Sequence, residues 1–340
     1  MNPDAVARLM LDEAGDLAGR VLVLDDADAA LTHAALAAGC EVRAFCDDVR
    51  AAAALPPGTR LDSPADPYVR SADLVLLRLP KSLGALEDHC QTVAGAAASA
   101  TVPGLRLVAG GRTKHMTPTQ NQVLGRYFTQ VRPSRGRDKA RVLTASGPTG
   151  AAPRWPRSRH LPEVGLTVWA HGGVFAGTRL DAGTALLLRA LAEGLRDAPG
   201  RAADLGCGSG ILACWLARRG WAVTASDVSW AAVDSTRRTA AANGLTVAVE
   251  QRDGFTGVPP ASLDLIVSNP PFHQGAAKDS TPTLAALTTA GAVLAPGGEF
   301  WCVFNSHLPY LQVLASAVGP TRIVARDRHY TVTRSVATAR

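Results

Sequence analysis

The sequence predicts an α/β protein with two doubly wound, mainly parallel sheets in tandem. Short apolar runs that end on polar residues alternate along the chain with segments of helical periodicity, which is typical of parallel sheets covered by helices. The chain has 340 residues, of which 47% are hydrophobic, enough to fill the cores of two domains. The sequences of two runs, 72–76 and 263–267, are similar position by position, and each of the two predicted strands ends at a proline. This similarity indicates an internal duplication.

Each predicted strand is a short apolar run bounded by polar residues, and each predicted helix has apolar residues at helical spacing. In the first half the predicted strands are 21–24, 41–45, 73–79 and 105–109, with a helix at 119–128. In the second half one strand leads into Gly206, and the others are 166–170, 221–226, 245–250, 263–268, 299–304, 322–325 and 329–337. The helices there are predicted at 185–195, 211–218, 281–294 and 308–318.

The run 263–268 ends on Asn269, Pro270, Pro271 and Phe272. Proline has no N–H for a strand ladder, so the strand must stop there, at the edge where open α/β sheets bind ligands. The residue before a proline is held extended, so the Asn269 side-chain oxygen and the Pro270 carbonyl are expected to be free acceptors.

Two acceptors aimed at one point suit an exocyclic NH2 group. Accepting both of its protons favours the pyramidal nitrogen that attacks a methyl group, and Phe272 would stack on the base. An ordinary strand-terminating turn is the alternative reading of these four residues.

A glycine-rich turn, Gly206, Gly208 and Gly210, follows Asp204. Glycine lets the backbone approach a ligand closely where a strand turns into a helix, and free N–H groups there favour negative charge. The spacing is Gly-x-Gly-x-Gly, and Ile211 stands where a dinucleotide fingerprint has its third glycine. A nicotinamide oxidoreductase is therefore disfavoured.

Acidic residues accompany three of the strands in the second half. Asp204 could face an ammonium group, Asp227 could accept from ribose hydroxyls, and Asp253 could accept from an adenine amine. The joint pattern of acids, glycine turn and Asn-Pro end is far more specific than any of its parts.

Together these motifs resemble class I S-adenosylmethionine-dependent methyltransferases. More closely, the chain resembles bacterial ribosomal RNA guanine-N2 methyltransferases with tandem methyltransferase-like domains. The likeness rests on 174–175, 180–184, 204–210, 226–229, 241–244, 268–273 and 305–310. It implies two Rossmann-like domains, the second a catalytic domain with a seven-stranded sheet over 164–340.

The resemblance also implies roles for individual residues. The cofactor would be S-adenosyl-L-methionine, held by Asp181, Asp204, Gly206, Gly208, Gly210, Asp227 and Asp253. The catalytic end that holds the guanine amine would be Asn269, Pro270, Pro271 and Phe272. His273 would lie on the substrate side, where it either takes the proton released after transfer or orients the base.

The first half, 1–145, is predicted to be a degenerate copy of the same domain. Its residues 26–29 read Asp-Ala-Asp-Ala where glycines belong, and 78–81 read Arg-Leu-Pro-Lys where the acceptor end belongs. Crowding and negative charge should exclude the cofactor, so we expect no catalytic site here and a role in RNA binding or stabilisation. Within the family, 79–81 and 113–115 resemble large-subunit enzymes more than small-subunit ones.

A basic segment covers 126–160, with nine arginines and lysines against the single acid Asp138. Glycine and proline at 147–153 are typical of a linker, so 146–163 is predicted to be a basic linker between the domains. Guanidinium groups pair with phosphates and stack on bases, so Arg154 and Arg157 are expected to bind RNA. Lys114, in a turn before a helix, could also contact phosphate; solvated loops are the alternative for both segments.

Composition limits the cellular setting. The net charge of +6 and a pI near 9.2 suit a polyanionic partner. No apolar run is long enough to span a membrane, and the amino terminus does not begin an export signal. The six cysteines are scattered, which favours reduced thiols and gives no support for a metal site. We expect a cytoplasmic monomer that binds ribosomal RNA or a ribosomal subunit, with no metal and no membrane contact.

The expected activity is methyl transfer to the exocyclic N2 amine of a guanine in ribosomal RNA, on a base flipped out of its stack. The same acceptor end would serve adenine N6 or a protein glutamine amide. A non-catalytic RNA-binding or ribosome-assembly protein is an alternative of a different class, which the intact Gly206, Gly208, Gly210 and Asn269 argue against.

Overall fold

The computed structural model describes residues 3–98, 104–196, 198–270 and 281–338. These residues form two large mixed sheets, each in its own unit. The first unit comprises Met1–Pro156 and His171–Gly173, and the second comprises Arg157–Ala170 and Val174–Arg340. The chain leaves the first unit after Pro156, inside the segment 146–163 that the sequence assigns to a linker. The predicted α/β class is confirmed.

The first unit consists of a sheet of mostly buried strands with helices packed on it. Its strands are β1 Arg20–Leu24, β2 Glu41–Phe45, β3 Leu74–Arg78, β4 Arg106–Arg112, β5 Phe128–Pro133 and β6 Ala140–Pro148. Its helices are α1 Ala5–Ala14, α2 Ala30–Ala37, α3 Val49–Ala52, α4 Leu83–Ala98 and α5 Pro118–Tyr127, with 3-10 turns at Pro67–Ser71 and Thr113–His115. Among the described residues the strand order is β2-β1-β3-β4-β6-β5, parallel from β2 to β4 and antiparallel for β6 and β5.

The second unit repeats this plan with one more strand. A short pair, β7 Arg157–Leu161 and β8 Leu166–Ala170, comes first. The main strands are β9 Arg201–Leu205, β10 Ala222–Asp227, β11 Ala248–Gln251, β12 Leu263–Ser268, β13 Leu294–Asn305, β14 Thr321–Arg326 and β15 Tyr330–Val336. The helices are α6 Ala182–Gly194, α7 Ile211–Ala217, α8 Trp230–Ala242, α9 Thr281–Val293 and α10 Tyr310–Ala317. Over the described residues the order is β11-β10-β9-β12-β13-β15-β14, which confirms the predicted seven-stranded sheet.

The predicted duplication is visible in matching contacts. The Asp73 carboxylate accepts the Arg20 backbone N–H at 2.9 Å, and the Asp264 carboxylate accepts the Arg201 backbone N–H at 2.8 Å. These acids stand at the same point of the strands β3 and β12, which are the copies that match in sequence. In the first unit a single parallel bridge between Ala44 and Arg60 lies where the second unit has β11.

The centre of the second sheet is closed to water on both faces. Leu265, Ile266 and Val267 are fully buried, which explains why β12 is a continuous apolar run instead of an alternating one. Helices α6 and α7 pack on one face through Leu187 and Leu216. Parallel strands buried in this way carry their ligand-binding residues at their carboxyl ends.

The basic segment 126–160 contains two strands of the first sheet, β5 and β6, that the sequence analysis did not predict. Phe128 opens β5 in a buried position, and Val142, Leu143 and Ala145 are buried in β6. Both strands precede or only reach the start of the predicted linker 146–163. The many arginines on the exposed positions concealed the apolar residues that face the core.

No helix in the described ranges is long and apolar enough to cross a membrane.

Helix α4 makes a close backbone contact with the segment His171–Gly173 in the first unit. The Ser82 hydroxyl donates to the Gly172 carbonyl at 3.0 Å, and the Asp88 carboxylate lies 2.7 Å from His171 Nδ1. A Cβ at Gly84 would lie 2.3 Å from the Gly172 carbonyl oxygen, so glycine is required there.

Gly84→Ala is therefore expected to lower the free energy of unfolding by about 1–3 kcal/mol, because the clash is with backbone. Gly95→Ala, on the same helix with nothing within 4 Å of a new Cβ, should instead raise it by up to about 1 kcal/mol. Urea unfolding of both variants measures the difference. Equal effects would contradict the close contact.

Candidate active site

A turn of three glycines joins β9 to α7 and brings its backbone to the carboxyl edge of the second sheet. Gly206, Gly208 and Gly210 all have positive φ, at 75°, 53° and 81°. The Gly206 N–H donates to the Ser226 carbonyl at 2.8 Å, which fixes the turn against the end of β10. A Cβ at Gly210 would lie 2.9 Å from the Thr236 side chain, so this position needs glycine for both conformation and space.

Asp227, the last residue of β10, holds the glycine turn from the side. One of its oxygens accepts the Gly208 N–H at 3.1 Å, and the other accepts the Ser229 N–H at 3.0 Å. The Thr236 hydroxyl donates to the Gly208 carbonyl at 3.1 Å. The predicted ribose-binding acid is thus already part of the loop that would line the cofactor.

Asp204 is a fully buried carboxyl group at the foot of the same turn. Its Oδ2 accepts the Ala213 N–H at 3.0 Å, whereas Oδ1 has no hydrogen-bond partner within the described residues. Burial, with a smaller contribution from Asp227, raises the pKa of Asp204 to about 7. A buried carboxyl oxygen without a partner fits a ligand that brings a positive charge, such as an ammonium group.

Asn269 follows β12 and has its side-chain amide fixed in one orientation. Its Nδ2 donates to the Thr184 hydroxyl at 2.8 Å and to the Asp181 carboxylate at 3.1 Å. Both partners accept, so the amide nitrogen must face them. The Oδ1 atom is left buried, with no hydrogen-bond partner in the part of the chain that the structure describes. It is oriented as an acceptor, beside the buried Pro270.

Asp181 is positioned by the start of α6. It caps the helix, and its Oδ2 accepts the N–H groups of Gly183 at 2.9 Å and Thr184 at 3.2 Å. The sequence assigned Asp181 to the cofactor; the contacts described here connect it to Asn269 and to the helix cap. The ring of Tyr330 packs over Gly183, within 3.2 Å of where a Cβ would lie. Burial, then Asp181 and Asp327, raise the pKa of Tyr330.

Sequence reasoning assigned no role to Thr184 or Tyr330. The signal for Thr184 was its spacing, since a hydroxyl three residues after a helix-capping acid lies on the same first turn as the cap. Tyr330 could not be found in this way, because only the pairing of β15 with β13 brings it opposite Asn305 at the sheet edge.

Strands β9 and β12 are direct neighbours, which places the two motifs side by side. Ser268 pairs with Leu205, and the Ser268 hydroxyl donates to the Leu205 carbonyl at 2.8 Å. Gly206 and Asn269 therefore leave adjacent parallel strands at the same edge of the sheet.

The other predicted site residues are on the surface or outside the described ranges. Asp253 is exposed after β11, and Arg157 is exposed at the start of β7. Lys114 is exposed in the first unit, where Arg154 also lies, paired with Glu87 at 3.0 Å. Pro271, Phe272 and His273 lie outside the described residues. Among the described residues no group of His, Cys, Asp and Glu is arranged to hold a metal ion.

The first unit keeps the shape of the turn but not its glycines. Asp25 and Ala29 have φ of 57° and 53°, the left-handed conformation of Gly206 and Gly210, and the Asp25 N–H donates to the Phe45 carbonyl at 2.8 Å. Arg78, which stands where Asn269 stands in the second unit, binds Asp28 at 3.0 Å and Asp4 at 2.9 Å. The position that Asn269 takes in the second unit is thus taken in the first by an arginine that pairs with the chain's own carboxylates.

A mixed sheet of this order, with a glycine turn after its central strand and an Asn-Pro end on the next, defines a Rossmann-like methyltransferase that uses S-adenosylmethionine. Comparison with protein families gives the particular assignment. Residues 165–334 match the methyltransferase small domain and residues 4–149 match the RLMG N-terminal domain, so the chain belongs to the methyltransferase small domain family. The resemblance predicted from the sequence is confirmed.

Similar proteins cover nearly the whole chain. The ribosomal RNA large subunit methyltransferase G of Streptomyces avermitilis is 34% identical, over 94% of this chain and 88% of that protein. The ribosomal RNA small subunit methyltransferase C of Alcanivorax borkumensis is 32% identical, over 97% and 98%. The T. thermophilus 16S rRNA N2 G1207 methyltransferase, solved with AdoMet and guanosine, is 25% identical with a TM-score of 0.82, over 98% of this chain and 92% of that one.

The raised pKa of Asp204 predicts a pH-dependent stability. Because the folded protein holds this proton to about pH 7 and the unfolded chain only to about pH 4, the free energy of unfolding falls as pH rises between those values. Asp204→Asn, which keeps the acceptor for Ala213 but never ionises, should gain about 2 kcal/mol on wild type between pH 5 and pH 7. Urea unfolding at the two pH values tests this; a pH-independent difference would contradict the burial of an ionisable carboxyl.

Proposed function

We propose that this chain transfers a methyl group from S-adenosyl-L-methionine to the exocyclic N2 amine of a guanine in ribosomal RNA. The observation that carries the proposal is the fixed amide of Asn269. Its nitrogen is engaged by Thr184 and Asp181, and its buried oxygen has no donor among the described residues, so it is placed to accept from a group brought in from outside. A guanine amine, which offers two N–H donors and no strong acceptor of its own, fits that oxygen.

The described residues also fit the cofactor. The glycine turn offers close-lying backbone, the free Oδ1 of Asp204 suits the ammonium of the methionine moiety, and Asp227 lies at the end of β10 where ribose hydroxyls would meet it. Asp253, exposed after β11, would accept from the adenine amine. Once bound, S-adenosyl-L-methionine supplies an electrophilic methyl group on a sulfonium.

The protein's part in the reaction is to hold the amine and shape its lone pair. Asn269 Oδ1 and the Pro270 carbonyl accept its two protons, which pulls the nitrogen toward a pyramidal geometry. The methyl donor, held by the glycine turn, Asp204 and Asp227, would give its methyl carbon to the N2 lone pair as the carbon–sulfur bond breaks, and would leave as a neutral thioether. The nitrogen becomes acidic only after transfer, so its proton is lost last and no base is needed before attack.

Residues outside the described ranges are assigned roles by the same proposal. Phe272 stacks on the flipped guanine, Pro271 stiffens the acceptor end, and His273 takes the proton or orients the base. Thr184 and Asp181, at the start of α6, keep the Asn269 amide in place.

The two halves of the chain are proposed to have different tasks. Residues 164–340 form the catalytic domain, 146–163 connect the domains, and 1–145 lack a catalytic site and serve in RNA binding or stabilisation. The Arg78 contacts and the non-glycine turn at Asp25 support the lack of a cofactor site. The match of 4–149 to the RLMG N-terminal domain favours large-subunit RNA, free or within a ribosomal subunit, as the partner. The protein itself is proposed to be a cytoplasmic monomer.

Asn269→Ala is expected to reduce the rate of methyl transfer about 100- to 1000-fold, the usual effect of removing one positioned polar group. Binding of S-adenosyl-L-methionine should stay near normal, because the glycine turn and Asp227 are untouched. Transfer of labelled methyl to RNA and calorimetric titration of the cofactor measure the two effects. Unchanged turnover would refute the role given to the amide.

Mass analysis of the modified product separates the remaining alternatives. Methylguanosine supports the proposal, whereas methyladenosine or a methylated glutamine would replace it, since the same acceptor end could hold those amines. Failure to bind S-adenosyl-L-methionine would leave a non-catalytic RNA-binding protein. Deleting the gene and mapping which ribosomal RNA nucleotide loses its methyl group identifies the natural target.

A further inference from the structure

An exposed basic surface lies at the carboxyl edge of the first sheet. Arg112 ends β4, Lys114 lies in the 3-10 turn that follows, and Arg141 is near the start of β6. Arg135 and Lys139 flank the tip of the hairpin between β5 and β6. These residues, Arg112, Lys114, Arg135, Lys139 and Arg141, are all exposed and are called the basic edge below.

The basic edge is one continuous surface. The Thr113 N–H donates to the Lys139 carbonyl at 2.9 Å, which joins the 3-10 turn to the hairpin tip. A Cβ at Gly136 would lie 3.8 Å from the Thr113 side chain and 4.0 Å from Arg141 Nε. The cationic side chains therefore project from neighbouring positions on a well-fixed support.

These cations are not neutralised by the protein. Within the described residues none of the five makes an ion pair, and the segment 106–141 has nine arginines and lysines against one acid, Asp138. Other exposed arginines of the same unit do have partners: Arg20 pairs with Glu41, Arg50 with Asp48 and Arg60 with Asp62. Arg137, next to the basic edge, pairs with Asp12. Five cationic side chains without an ion pair therefore lie close together at this edge.

Lys139 is held in a backbone conformation that does not suit it. Asp138 and Lys139 have φ of 52° and 60°, in a two-residue turn closed by hydrogen bonds of 3.0 and 2.8 Å between Arg137 and Ala140. Such turns favour glycine at the second position, and a side chain there costs about 1 kcal/mol. Lysine at this position therefore lowers the stability of the fold. Strained residues of this kind are often found at functional sites.

We propose that the basic edge binds the phosphate backbone of the substrate RNA. This inference rests on the proposed function, which supplies a polyanion as the partner, and it places the RNA contact on a rigid hairpin instead of on Arg154, which is engaged by Glu87. Unpaired arginines and lysines on adjacent loops can each contact a phosphate, and each contact releases a bound counterion.

The test uses the full-length protein and a fluorescein-labelled RNA stem–loop, with binding followed by anisotropy over a range of salt concentrations. Lys139→Gly creates the favoured Asp-Gly turn, so it should leave stability in urea unchanged or raised while weakening RNA binding several-fold. The triple variant Lys114→Gln, Arg135→Gln and Arg141→Gln should weaken it further and reduce the slope of log K against log salt by about 0.7–0.9 per lost contact.

A matched control removes the same charge elsewhere on the first unit: Arg20→Gln, Arg50→Gln and Arg60→Gln together. It should keep the salt slope of the wild type. Equal losses in the control and the basic-edge triple variant would overturn the proposal, since net charge alone would then explain binding. Displacement of the RNA by polyglutamate as effectively as by unlabelled RNA would overturn it in favour of an acidic protein partner.

The outcome for the basic edge can be told apart from that for the proposed function. Basic-edge variants should raise KM for RNA with kcat and S-adenosyl-L-methionine binding unchanged. If the wild type methylates RNA and the variants bind RNA normally, the inference is refuted and the function stands. If the wild type methylates no RNA but the variants still lose RNA affinity, the inference stands and the proposed function is refuted.

Discussion

The hold on the Asn269 amide is the interaction on which the site depends. An asparagine at the end of a strand can turn either its oxygen or its nitrogen toward a ligand, and only the former can accept from an amine. Thr184 and Asp181 decide this by occupying the nitrogen, and Asp181 can do so because it is itself fixed as the cap of α6. The chemistry thus depends on the start of a helix distant in sequence from the residue it orients.

Comparison of the two units separates the backbone features of the site from its side-chain features. The first unit keeps the strand order, the aspartate that ties neighbouring strands and the left-handed turn at Asp25 and Ala29. It differs in the side chains: Asp25, Ala27 and Ala29 stand where the three glycines stand, and Arg78 stands where the asparagine stands. The backbone plan of the site is thus preserved while its side chains are not.

Much of the fold was predictable because its signals are local. Buried parallel strands are continuous apolar runs, proline stops β12 at Ser268, and Gly206 and Gly210 have the positive φ for which glycine is selected. The position of the candidate site at the carboxyl edge of the second sheet could therefore be predicted from the sequence. The roles of the individual residues at that edge stay predictions. Thr184 and Tyr330 were missed because their positions depend on contacts between distant segments. Strands β5 and β6 were missed because arginine dominates a segment whose buried positions are apolar.

Arg78 has a wider consequence for the life of the molecule. In the second unit the buried Oδ1 of Asp204 has no hydrogen-bond partner among the described residues. The amino-terminal unit satisfies Asp4 and Asp28 with a guanidinium that is part of its own chain. These carboxylates are thus paired by a residue of the same chain, so their pairing does not depend on the supply of methyl donor.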